Sequence, residues 1–252
     1  MKLSFLTFLN AFLCVLGLTM AGCASNSEIN TGVPEGAYKL AEKYEKDERF
    51  EEAIAQYAQV KNKYPYSKLA TESELRIAEI HFKREEFVEA QSAYQTFKEL
   101  HPSYPRIDYV TFQLALSFFN QLPSTIDRDL SVAERAILYF DEVMQSYGRS
   151  KYASEAANYK LKALKMLAEK EYYIAHFYLI RDRFESALGR FEGLLVKFPK
   201  LGFDAQALYG AAYSAYQLKD LGKAKAHYNR LLTDFGGSKE AEKARQELGN
   251  HI

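Results

Sequence analysis

The sequence predicts an all-α solenoid of five helix pairs, with a lengthened helix between the third and fourth pairs. Three observations predict it. Five times an alanine is followed four residues later by an aromatic ring and twelve residues later by proline or glycine: Ala53, Tyr57, Pro65; Ala90, Tyr94, Pro102; Ala136, Phe140, Gly148; Ala187, Phe191, Pro199; Ala224, Tyr228, Gly236. Rings occupy only 14% of positions, so five rings in five fixed places mark a repeat, and repeat architecture outranks any local reading. A second alanine stands twelve residues before the first in four sets, as Ala41, Ala78, Ala175 and Ala212, while Ala115 lies nine residues too far upstream. Rings follow these alanines too, at plus four in Phe82, Phe119 and Tyr216 and at plus three in Tyr44, Phe118 and Tyr178.

Each element follows from this register. Alanine, a ring at plus four and proline at plus twelve form the second half of the tetratricopeptide pattern. Small residues at a helix crossing with rings beside them let two helices pack closely. A larger side chain at such an alanine costs about 1–3 kcal/mol through overpacking, and truncation of the ring costs about 3–5 kcal/mol. Thr71–Glu74 and Ser131–Glu134 have capping-box spacing, which places helix starts there. Pro65, Pro102 and Pro199 end second helices because proline has no N–H to donate. Two insertions break the period. Asn120–Leu130, with Pro123 and the cluster Asp127, Arg128, Asp129, is a loop within the third repeat. Tyr152–Lys170 is itself helix-forming through Ala153, Ala156, Ala157, Leu161, Leu164 and Leu167, and lengthens the first helix of repeat four. The expected organisation is an N-terminal unit of three repeats over 37–150 and a C-terminal unit of two over 151–252. Tyr64, His101, Tyr147, Phe198 and Phe235, which precede the repeat-ending prolines and glycines, read as packing residues.

The start of the chain reads as a leader. Lys2 is followed by an apolar run from Phe5 to Leu18, too short to span a bilayer comfortably and ending in small residues, as in a secretory signal over 1–22. Met20-Ala21-Gly22-Cys23 resembles a bacterial lipobox, in which the cysteine is acylated after cleavage; an ordinary cleaved signal with a chance cysteine is the alternative. Cys14 falls in the leader, so Cys23 would be the only cysteine left, and no disulfide within one molecule is expected. Each buried acyl methylene contributes about 0.8 kcal/mol, so several chains on Cys23 would hold a domain at a membrane. Ala24, rather than aspartate, resembles the sorting signal for the outer membrane. Residues 23–36, rich in Ser, Asn, Thr and Gly, read as a flexible tether spanning about 20 Å.

Composition excludes several functions. The 33 basic and 33 acidic residues balance, which removes the basic excess that nucleic-acid binding requires. His81, His101, His176, His227 and His251 show no paired metal-ligand spacing, so no metal and no cofactor is expected beyond the lipid on Cys23. No GxSxG elbow is present, and Gly236-Gly237-Ser238 lacks the lysine of a phosphate loop. No catalytic residue is assigned.

The leader with its cysteine, five repeats, and the segments Tyr104–Val110, Asp127-Arg128-Asp129 and Gly189-Arg190-Phe191-Glu192-Gly193 together resemble the BamD family, lipoproteins of the outer-membrane β-barrel assembly machinery, over nearly all of residues 37–236. The resemblance implies a periplasmic scaffold anchored in the outer membrane of a Gram-negative bacterium. Its implied partners are the integral barrel-forming subunit, accessory lipoproteins and unfolded outer-membrane proteins. An envelope scaffold that coordinates cell-wall enzymes is the alternative from the repeats alone.

Candidate residues follow. Gly189 and Gly193 lie four apart in a second helix, where each costs about 1 kcal/mol relative to alanine, and they face away from the stripe of Ala187, Phe191, Leu194, Leu195 and Phe198. Two such glycines on an outer face point to close approach of another backbone. Arg190 beside them carries a stem that lies on apolar surface and a guanidinium for a partner carboxylate; the resemblance places a partner-binding arginine here, and a solvated arginine is the bland reading. Tyr64, Tyr38 and Tyr44 occupy the terminal repeat, where no earlier repeat covers them, and are candidates to stack on an extended substrate peptide. Asp108 is explained by the helix dipole, and Arg128 with Asp129 reads as a solvated loop pair.

Overall fold

The computed structural model describes residues 29–252, whose regular structure is entirely helical with no strand among them. The eleven described helices are α1 (Pro34–Lys46), α2 (Phe50–Lys63), α3 (Lys68–Lys83), α4 (Phe87–Leu100), α5 (Ile107–Phe119), α6 (Ser131–Ser146), α7 (Ala153–Leu179), α8 (Phe184–Lys197), α9 (Asp204–Gln217), α10 (Leu221–Phe235) and α11 (Lys239–Glu247). The first ten are the five predicted pairs. α7, at 27 residues, is the lengthened helix. α1 begins at Pro34, whose missing N–H is one the first turn leaves unpaired. The last three residues of the expected tether, Pro34 to Gly36, are therefore its first turn. The leader and Cys23 lie outside the described residues.

Two compact units are present. Up to Ser73, α1 packs on α2. Ala41, Ala53 and Tyr57 are fully buried, and the Tyr57 hydroxyl donates to Glu45 Oε2 at 2.8 Å. The second unit runs from Glu74 to Ile252, and each helix from α4 to α10 packs on the next. Its interior holds two apolar clusters, one around Tyr94, Phe97 and Phe140 and the other around Phe191, Leu194 and Leu208. α7 contributes to both, through Ala156 to the first and Ala175 to the second.

All ten repeat alanines are 0% exposed, which is what close helix crossings require. Tyr57, Tyr94, Phe140 and Phe191 are buried behind them, and Tyr228, in the last pair, is half-buried. Tyr64, His101, Tyr147, Phe198 and Phe235 are half-buried. The first four are the residues that cap α2, α4, α6 and α8. Their place is a helix end, partly covered rather than fully buried.

The capping boxes are corrected. α3 starts at Lys68 and its entry is turned by Ser67, whose Oγ accepts from the Leu69 N–H at 3.2 Å, so Thr71 is already inside the helix. Ser131 is the first residue of α6, behind Leu130, and its N–H and hydroxyl donate to Asp129 at 2.9 and 2.7 Å. The carboxylate of the loop therefore does the work assigned to the hydroxyl. Lys170 Nζ donates to the Arg128 carbonyl, which fastens the 120–130 loop to α7.

A periodic feature appears in the turns within pairs. Glu48, Glu85, Asp182 and Lys219 each stand seven residues after a first-helix alanine, and each has φ between 56° and 65°. In each the following N–H reaches back to a first-helix carbonyl: Arg49 to Tyr44, Glu86 to His81, Arg183 to Tyr178 and Asp220 to Ala215, at 2.8–3.0 Å. This is the six-to-one bond of a Schellman end, which usually has glycine at the left-handed position. The 120–130 insertion removes it from the third pair. Since a side chain in that conformation costs about 1–2 kcal/mol, Glu85→Gly is expected to raise stability by up to about 1 kcal/mol after the extra flexibility of the unfolded glycine is counted. Urea unfolding checks this, with Glu86→Gly as a control that should destabilise.

Candidate partner-binding face

α8 carries the candidate face. Its sequence FESALGRFEGLLVK puts Ala187, Leu188, Phe191, Leu194 and Leu195 into the core. Gly189, Arg190 and Gly193 turn outward. A Cβ built on either glycine meets nothing within 4 Å. Neither glycine is therefore demanded by the packing of the described residues. Gly210 on α9 is the opposite case: its Cβ would fall 2.3 Å from Phe191 Cε2 and 2.4 Å from Cζ. Gly210 exists to let α9 close on the ring of α8, and the alanine-ring register gave no sign of it.

Arg190 does not stand free. Its Nη1 donates to Glu171 Oε2 at 3.1 Å and lies 3.4 Å from Oε1, bridging α8 to α7. With the arginine side chain 46% exposed, such a pair contributes at most about 1 kcal/mol. A partner carboxylate could take the guanidinium from Glu171 at small cost. Glu171, Glu185, Gly189, Arg190, Gly193 and Lys197 line an open depression of about 400 Å³, so its charges balance around the smooth strip of glycine backbone. Glu171 was not legible as a member of this face.

Beside the depression, Glu192 receives Lys223 Nζ at 3.1 Å and faces His227 Nε2 at 3.0 Å. Partial burial pushes its carboxyl up, but hydrogen bonds from His227 and Lys223 and the lysine charge outweigh this and hold it below the usual range. This group therefore adds stability at neutral pH that is lost as pH falls through its lowered folded value.

The three N-terminal rings are not gathered into one site. Tyr64 donates through its hydroxyl to the Thr31 carbonyl at 3.2 Å and lines a recess of about 160 Å³ with Leu40 and Gln56. Tyr38 packs edge-on against Tyr57 at 5.2 Å, and Tyr44 carries the Arg49 guanidinium 4.5 Å above its ring. All three are half-buried. Asp108 accepts from the Ser150 hydroxyl at 2.7 Å, joining the start of α5 to the turn before α7. Among the described residues no three His, Cys, Asp or Glu side chains converge as metal ligands, and no helix is long and apolar enough to cross a membrane.

Residues 31–208 match the family model described as YfiO, outer membrane lipoprotein, and residues 206–238 match a tetratricopeptide repeat model. The chain is similar to the outer membrane protein assembly factor BamD of Neisseria meningitidis serogroup B, with 25% identity over 87% of this chain and 88% of the relative. It is also similar to that of Rickettsia prowazekii, with 27% identity over 93% of this chain and 94% of the relative. The factor from Caulobacter vibrioides is 25% identical over 77% of this chain and 65% of its own length. Among solved structures, the TPR2AB-domain:pHSP90 complex of yeast Sti1 aligns at a TM-score of 0.45 and 15% identity, over 82% of this chain and 80% of that one. Since one family model spans most of the described helices, the chain belongs to the YfiO family of outer membrane lipoproteins.

Proposed function

We propose that the chain acts in the assembly of outer-membrane proteins, as a non-catalytic scaffold held at the outer membrane and facing the periplasm. Membership of the outer membrane lipoprotein family and the name assembly factor carried by relatives from three bacterial genera support this reading. Cys23 carries the lipid that anchors it, and no other cofactor is needed. Residues 151–252 dock the integral barrel-forming subunit through Gly189, Arg190 and Gly193, and residues 37–150 receive unfolded barrel segments, with Tyr64, Tyr38 and Tyr44 as the rings that stack on them. The observation that carries the docking face is the open space around both glycines. A helix that keeps two costly residues on which none of the described residues packs is shaped for a neighbour that arrives later.

The test is capture of membrane proteins by the native lipoprotein in detergent beside an Arg190→Glu variant. The native chain is expected to retain an integral β-barrel protein and the variant to lose it, while thermal stability changes little because the Glu171 pair is exposed. Recovery of cell-wall enzymes alone would sink the assembly reading, and equal recovery by both chains would move the docking face elsewhere. Gly189→Ala with Gly193→Ala separates folding from docking by sign. Alanine should stabilise the free chain by up to about 1 kcal/mol per site, yet weaken capture of the barrel protein because each methyl fills the space a partner backbone would occupy.

A further inference from the structure

A second recess, of about 420 Å³, lies between α7, α9 and α11 and has a different chemistry from the α8 face. Tyr172 of α7 and Tyr209 and Tyr213 of α9 present rings to it, the latter two stacked with centroids 6.1 Å apart. Asp182, at the turn after α7, and Glu240 and Glu247 of α11 add three carboxylates against the single ammonium of Lys243. We propose that this recess binds an arginine or lysine side chain of an extended polypeptide segment.

Three observations carry the assignment. Lys243 Nζ already sits 4.7 Å from the centroid of Tyr209, so the recess holds a cation over a ring in the free chain. That lysine is a weak occupant. Its side chain is 55% exposed and its ammonium reaches only 3.9 Å from Glu247 Oε1. Glu247 is in turn engaged by the Tyr209 hydroxyl, which donates to Oε2 at 2.5 Å and fixes the ring that the cation faces.

Asp182 and Glu240 have no cation within ion-pair distance among the described residues, so the recess carries more negative charge than its own lysine neutralises. A neutral or acidic ligand gains nothing from that surplus, whereas a guanidinium meets both the ring faces and the carboxylates. Ile180, 62% exposed at the mouth, offers an apolar contact next to the charged one. A segment with a basic residue flanked by an apolar one matches this pair of contacts, and an extended backbone lets the two side chains reach separate subsites.

The purified full chain in detergent, titrated calorimetrically with a blocked heptapeptide of one central arginine flanked by leucines, tests the proposal. The same peptide with citrulline, which keeps the shape and removes the charge, should bind about tenfold more weakly. Glu240→Gln should weaken the arginine peptide by a similar factor, and Asp182→Asn gives an independent variant if the first fails to fold. Lys243→Gln should strengthen binding several-fold by removing the resident competitor, and Arg190→Glu should leave it unchanged, which keeps this site apart from the α8 face. Equal affinity for arginine and citrulline, no binding at millimolar peptide, or indifference to both carboxylate variants in folded protein would overturn the assignment.

Discussion

Gly210→Ala is expected to destabilise the chain by about 1–3 kcal/mol, although alanine is the better helix former at that position. The Cβ would stand 2.3, 2.4 and 2.7 Å from three ring carbons of Phe191, well inside van der Waals contact. The ring is 1% exposed and is flanked by Tyr172 at 6.3 Å between centroids, so it must shift by about 1 Å or more within a close-packed region. Helix propensity offers about 1 kcal/mol in return, which the clash outweighs. Phe191→Ala on its own should cost about 3–5 kcal/mol, the usual loss for a buried ring. The pair of changes makes the argument decisive. With Phe191 already truncated, Gly210→Ala has no ring to meet and should become stabilising by about 1 kcal/mol, so the sign reverses across the double-mutant cycle. Urea unfolding of the four chains measures this, and an alanine that stabilises the native background would show that the ring is not the reason for the glycine.

The alanine seams were legible because they depend on spacing alone: all ten alanines are buried, nine of them where the period places them, and helix geometry carries a residue spacing directly onto one face. The lengthened α7 was legible for the same reason. What escaped the sequence depends on the rotation and register of one helix against another. Gly210 is explained by a ring on α8 and Arg190 is met by Glu171 on α7, and no period within one helix encodes either pairing. α11 lies beyond the last repeat, where no period points to it, and its buried face is only Ala241 and Ala244 with Leu248 beyond its end. Two methyl groups are a faint signal in a charged sequence, and the helix is fixed by packing on α9 and α10 and by the Ser238 hydroxyl accepting from the Ala241 N–H. The displaced caps have a similar cause, since hydroxyl-to-glutamate spacing recurs inside helices as readily as at their starts. The left-handed residues at the pair turns were hidden because Glu, Asp and Lys stand where glycine would have announced them.

Alkaline unfolding should set in from about pH 10 and be governed by Tyr94 and Tyr109. Burial pushes the Tyr94 phenol far up, and the neighbouring Tyr109 and Glu79 charges add to it. Burial likewise pushes Tyr109 up to about 12, reinforced by the charge of Glu79. A group whose folded value is raised keeps its proton longer in the native chain than in the unfolded one, so its contribution is complete below the unfolded value and is lost as pH rises through the folded value. Unfolded tyrosines ionise near pH 10, and the loss therefore spans pH 10 to 12 for Tyr109 and extends higher for Tyr94. Phenylalanine at position 94 removes the titration and keeps the ring, which is fully buried and whose hydroxyl has no partner at hydrogen-bond geometry among the described residues. Tyr94→Phe should therefore leave neutral-pH stability within about 1 kcal/mol, since no hydrogen bond is broken, and move the midpoint of alkaline unfolding upward, with Tyr109→Phe adding a further rise. Helix content followed by circular dichroism between pH 9 and 12.5 measures the midpoints. An unchanged midpoint in the double variant would assign alkaline unfolding to other groups, with Tyr209, also raised by burial and by its bond to Glu247, the next to be replaced.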